Sequence, residues 1–337
     1  MKFLFKHAPS LTPLHLASRF EGLKTTSDIG RYVHKLSINI TTLQSEDEIT
    51  LSSIFDHLVN LMELTVIYRK EDTHHYCNLI SACCRRTSLK KLHVEEADLD
   101  MTVTPTDPEA SFLGYYFVDH LIQAVLMVDG LRLETFVHIA SLPLHQSTFT
   151  ALRTRATHLR TIVFRTSIQS HLRILFNQPT QWASASTLKK LVIRTSFGVH
   201  YGVLALHVAN GVFGRLQRLS VIRSGYGDRR LFEAANQPPP WTIDVLERLD
   251  IDHADHQEVM ALSIVHAQDV YATRVYTSAI INALNAGGWP GIRTLHTPPP
   301  GDGSGPQFLE LKRACDAREI SLLTDATPSS NCNCHNE

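Results

Sequence analysis

A short apolar phrase, three hydrophobic positions spaced as in L-x-x-L-x-L, returns nine times along the chain. Its copies begin at Val33, Leu61, Leu89, Leu133, Leu159, Leu188, Leu216, Leu246 and Ile292, at intervals of 28, 28, 44, 26, 29, 28, 30 and 46 residues. Seven of the nine are apolar at all three positions, so the spacing and not one chance run carries the pattern. In Leu188-Lys-Lys-Leu191-Val-Ile193, Leu191 and Ile193 alternate with Lys190 and Val192. That period of two predicts a short strand with one face inward. The fixed interval predicts stacked units, because each unit of such an array buries its apolar face only against its neighbours.

Between the phrases lie stretches of helical period. Ile54, Phe55 and Leu58, with Ile49 and Leu51 ahead of them, share one face; so do Tyr76, Leu79, Ile80 and Cys83, and Phe117, Leu121, Val125 and Val128. Shorter examples are Leu172, Leu175 and Phe176, and Leu204, Val208 and Val212. The long interval after Leu89 holds Asp98 to Ser111 with Pro105 and Pro108, read as a surface loop. The interval before Ile292 reads as helical from Asp255 to Ala286, one helix or two in succession. In the copy at Leu133 the third apolar slot is His138, expected to be solvated on a distorted strand. Three residues beyond the third slot stand Thr41, Arg69, Ala97, Ser167, Ser196, Ser224 and Ala254. Six of these seven are small or hydroxyl-bearing, which suits a chain turning inward there.

The expected fold is therefore α/β, a solenoid bent into a horseshoe with a parallel β-sheet on the concave side and helices on the convex side. One array of nine or ten units is expected over 1–324, with a lead-in helix at its start, a closing helix and strand at its end, and a disordered tail over 325–337. The phrase together with the small residue after it resembles the leucine-rich repeat superfamily. Within that superfamily, FEGLKTTSDIGRYVHKLSI from Phe20 and LKRACDAREISLL from Leu311 resemble the repeat region of fungal F-box proteins. The resemblance implies a substrate receptor of a cullin-type ubiquitin ligase. Its helical F-box has no counterpart ahead of residue 10, so a repeat region lacking its F-box is expected.

Charge narrows the partners. The 337 residues carry a formal net charge of −1, so no global field draws nucleic acid or anionic lipid. The six cysteines, Cys77, Cys83, Cys84, Cys315, Cys332 and Cys334, cluster too closely for a disulfide framework and read as reduced thiols. The start, MKFLFKHAPSL, lacks a signal-peptide core, and no apolar run is long enough to span a bilayer. A cytoplasmic or nuclear protein is expected.

Strand residues between the leucines form a grid on the exposed face. Arg165, Lys190, Arg194, Arg218 and Arg248 fall on successive strands about 4.8 Å apart, with Arg223 at a strand end. Val163, Val192 and Ile222 lie between them as exposed apolar spots. This pattern predicts a partner-binding face for a protein, with an acidic or phosphorylated segment as its ligand and arginine as donor.

Catalytic signals are weak. Asp250-Ile-Asp252-His253-Ala-Asp255-His256 is the densest set of metal-ligand types, and a metal protein or enzyme built on Asp252, His253 and His256 is one alternative. A loop with a helix-capping aspartate is expected there instead. Cys332-Asn-Cys334-His335 lacks four spaced ligands, and Gly301-Asp-Gly-Ser-Gly, following Pro298-Pro-Pro300, is not the strand–loop–helix phosphate fingerprint and reads as a flexible loop. Gln237-Pro-Pro-Pro-Trp241 reads as a rigid connection. No catalytic residue, metal site or cofactor is expected. A structural or vestigial repeat protein with no dedicated ligand is the other alternative.

Overall fold

The computed structural model describes residues 31, 33–42, 52–69, 77–83, 85–97, 113–140, 144–166, 182–195, 215–223, 246–299 and 305–324. The chain forms two compact units, one of Met1–Ser167 with Gln181–Ser184 and one of Ile168–Thr180 with Ala185–Glu337. Both are α/β.

In the first unit the strands are β1 (Lys35–Asn39), β2 (Glu63–Tyr68), β3 (Lys91–Glu96), β4 (Thr135–Ile139) and β5 (Thr161–Thr166). They pair in chain order and all in parallel. The middle position of each phrase lines up with its neighbour, giving the row Leu36, Leu64, Leu92, Phe136, Ile162. The third positions give Ile38, Val66, Val94, His138, Phe164, and no residue of either row is more than 4% exposed. The first positions, Leu61, Leu89, Leu133 and Leu159, are equally buried. Each strand start repeats one backbone device. The carbonyls of His34, Met62, Lys90 and Glu134 each accept from two consecutive amides of the next strand, at 2.7–3.0 Å.

Helices α1 (Cys77–Cys83), α2 (Leu113–Leu126) and α3 (Gln146–Arg155) connect these strands, and residues 52–57 are also helical. Their apolar stripes are the ones the periodicity marks. Ile54, Phe55 and Leu58 are buried, as are Leu79 and Cys83, and Phe117, Leu121 and Val125.

The second unit carries β6 (Lys190–Thr195), β7 (Arg218–Arg223), β8 (Leu246–Asp252), β9 (Ala267–Thr273), β10 (Thr294–His296) and β11 (Ser321–Leu323). These too pair in chain order and in parallel. Leu191, Leu219, Leu249, Val270 and Leu295 stand side by side, none more than 3% exposed. Helices α4 (His256–Leu262), α5 (Thr277–Asn285) and α6 (Pro306–Asp316) alternate with the last four strands.

Two expectations are corrected. The helical pattern from Asp255 to Ala286 is broken by a strand. β9 is a tenth copy of the phrase, Ala267-x-x-Val270-x-Ala272, in register with Leu246, Leu249 and Ile251. The 46-residue interval thus divides into 21 and 25. Two alanines hid it, since alanine favours helices and is depleted in strands.

His138 is not solvated. It lies inward between Val94 and Phe164, 2% exposed, its ring parallel to that of Phe136. Its Nε2 has no hydrogen-bond partner among the described residues, and burial pushes its pKa down to about 3. The side-chain period of two admits no other place for the third position of a phrase.

The Asp98–Ser111 loop, the helical readings at 172–176 and 204–212, the lead-in helix, Gln237–Trp241 and the tail lie outside the described residues. No helix among the described residues is long and apolar enough to cross a membrane.

Candidate functional site

Each strand presents its alternate side chains on the sheet face opposite the leucine rows, here called the open face. In the second unit the first row across that face is Lys190, Arg218, Arg248, Asp269, Thr294. The second is Val192, Ser220, Asp250, Tyr271, His296. The in-register parallel pairing converts sequence neighbours two apart on one strand into a two-dimensional lattice of side chains.

Asp250 is the centre of this lattice, its side chain only 12% exposed. One carboxylate oxygen accepts from Ser220 Oγ at 2.6 Å and from Arg218 Nε at 3.0 Å. The other accepts from Arg248 Nε at 2.8 Å, with Arg248 Nη2 at 2.7 Å. Burying a carboxylate is costly unless it is paired and hydrogen-bonded, and four donors from three residues meet that demand. The Arg248 guanidinium lies 3.7 Å over the Tyr271 ring, and Tyr271 stacks on His296 with ring centroids 3.8 Å apart and planes 6° from parallel. A flat ladder of guanidinium, phenol and imidazole thus crosses β8, β9 and β10. Beside it Asp252, 2% exposed in its side chain, holds Arg274 through both oxygens.

The residues expected to bind a partner divide accordingly. Arg218 and Arg248 come together on adjacent strands, held by one aspartate rather than projecting singly. Lys190 pairs in register with Arg218 and Arg194 with Ile222, and Arg223 ends β7. Arg165 stands on β5 of the first unit, half-buried. Two of the apolar spots expected to be exposed are not: Val163 is 5% and Val192 1% exposed, and the side chain of Ile222 lies outside the described residues. The short branched side chains of the two valines lie low beside in-register neighbours, Val137 and Ser220.

Tyr271 escaped the sequence reading because β9 did. Equal register places Asp250 near both arginines, the one signal for the clamp that the grid offers, without fixing the bonds between them.

The metal-type residues are engaged elsewhere. Asp252 ends β8 and is taken by Arg274; His256 Nε2 lies 2.7 Å from Asn282 Nδ2. Asp255 caps α4, accepting from the Glu258 amide while Glu258 returns a bond to the Asp255 amide, as a helix-capping aspartate should. Among the described residues no group of three His, Cys, Asp or Glu side chains could hold a metal ion. Cys315 is buried, and burial, helped by Asp316 and opposed by Arg318, raises its thiol pKa to about 11, which keeps it protonated and a poor nucleophile. No family model matches the chain, and no curated protein is similar enough in sequence to be matched to it.

Proposed function

We propose that the chain is a non-enzymatic protein-recognition scaffold of the leucine-rich repeat kind, reading its partner with the open face of the parallel strands. The observation that carries this reading is the Arg218–Asp250–Arg248–Tyr271–His296 lattice. It is a polar and aromatic arrangement built on strands whose other face is committed to leucine, valine, isoleucine and alanine. Arginine and tyrosine on a rigid platform are the side chains that most often anchor protein partners. The contact zone runs over Lys190, Arg194, Arg218, Arg223 and Arg248, with Arg165 as a separate contact on the first unit. The likeness of the Phe20 and Leu311 segments to fungal F-box proteins supports a role as, or descent from, a ligase substrate receptor.

Proximity labelling with the intact protein, compared with an Arg194→Glu, Arg218→Glu, Arg248→Glu triple variant, tests the reading. Loss of a defined set of neighbours in the folded variant is expected. An unchanged set would refute the open face as the contact and favour a repeat protein without a dedicated ligand there. Recovery of a ligase adaptor with the wild-type protein would support the receptor role, and its absence would refute that role alone.

A further inference from the structure

Resting on the scaffold reading, we infer that Arg218 and Arg248 form a receptor for one phosphate monoester carried on a side chain of the protein partner.

The argument starts from unspent donors. Arg218 gives only Nε to Asp250, so both its terminal amino groups have no partner among the described residues. Arg248 gives Nε and Nη2, leaving Nη1. The two side chains remain 28% and 37% exposed, so these groups can be reached from solvent. Asp250, itself held by Ser220, fixes both guanidiniums, and the Tyr271 ring lies against that of Arg248, so little rotamer freedom is lost when an anion arrives.

Charge and geometry select the anion. Lys190, Arg218 and Arg248 against Asp250 and Asp269 leave this part of the face with a net charge of +1. A phosphate monoester offers three terminal oxygens and nearly two charges, so it can accept from both guanidiniums at once. A carboxylate has two oxygens and one charge, and Asp250 already supplies such a group.

The same row selects a single phosphate over a polyanion. The register continues from Arg248 to Asp269, whose carboxylate ends the basic run one strand on. A nucleic acid, with a charge at every nucleotide, would meet Asp269 directly, whereas an isolated phosphorylated side chain would not.

The test uses the full chain and alanine-rich peptides that differ at one central residue: phosphoserine, phosphotyrosine, serine or glutamate. Inorganic phosphate and a single-stranded oligonucleotide are run beside them. Titration is followed by the arginine Nε–H resonances and by calorimetry. At least one phosphopeptide is expected to bind about tenfold or more tighter than both the serine and glutamate peptides. It should shift the Arg218 and Arg248 signals and be displaced by inorganic phosphate. The charge-preserving variant Arg218→Lys, Arg248→Lys, confirmed folded by its melting curve, should lose about tenfold, because lysine cannot form the fork. Equal binding of the glutamate peptide, tighter binding of the oligonucleotide, or an unaffected lysine variant would each overturn the inference. Partner capture that needs the open face yet survives phosphatase treatment would overturn it too, while leaving the scaffold reading standing.

Discussion

Strand β4 of the first unit and strand β8 of the second place polarity on opposite faces. In β4 the open-face residues Val137 and Ile139 are apolar and buried, and the polar residue His138 stands in the core row. In β8 the core residues Leu249 and Ile251 are aliphatic, and Arg248, Asp250 and Asp252 occupy the open face. The first unit's core row tolerates one polar intruder, His138, but is otherwise dictated by packing. The open face is less uniform: apolar side chains fill it on β4, whereas charges fill it on β8. On β8 desolvation is offset because Asp250 and Asp252 are bonded to arginines. On β4 it is an unrelieved cost, because His138 Nε2 has no partner among the described residues.

Variants can break this contrast. Leu219→Ala removes a fully buried member of the second unit's core row and should cost about 3 kcal/mol; chemical denaturation measures it. A loss under about 1 kcal/mol would mean the row is not a packed core. His138→Leu should act in the other direction and depend on pH. The folded pKa of His138, about 3, lies below its unfolded value near 6.5. The unfolded chain therefore binds the proton first. The stability tied to neutral His138 is complete above pH 6.5 and declines as pH falls toward 3. Wild type should lose about 2 kcal/mol from this residue between pH 7 and pH 5, and the leucine variant should lack that component. Parallel stability profiles for the two proteins would remove His138 from the core.

Smaller effects sharpen the account of the open face. Asp250→Ala strands two half-buried arginines and should cost about 2 kcal/mol, with the loss growing smaller at high salt as the freed arginines are screened. Tyr271→Ala removes the platform under Arg248 and should cost about 1 kcal/mol. If Asp250→Ala and Tyr271→Ala add without coupling, the ladder does not act as one network.

Much of this arrangement was legible in the residues. Leu64, Leu92, Leu191, Leu219 and Leu249 announce their strands because a large apolar side chain every second position has only one packed solution. The arginine positions on β7 and β8 follow from the same register. β9 was not legible, since Ala267 and Ala272 satisfy either a helix or a crowded strand and only the neighbouring strands decide between them. The pairing of Asp250 with both arginines depends on rotamers and on Ser220 below them, which spacing alone does not fix. The burial of Val163 and Val192 was missed because alternation gives a face, not the height of the neighbours on it.

β9 is also where the central claim is most exposed. Methyl-labelled protein should give cross-relaxation from Val270 to both Leu249 and Leu295, and from Leu219 to Leu249 but not to Val270, the pattern of consecutive parallel strands. A Val270 methyl that instead meets residues three and four away along the chain, with no signal to Leu249 or Leu295, would make 265–274 helical and dismantle the lattice that places Tyr271 under Arg248.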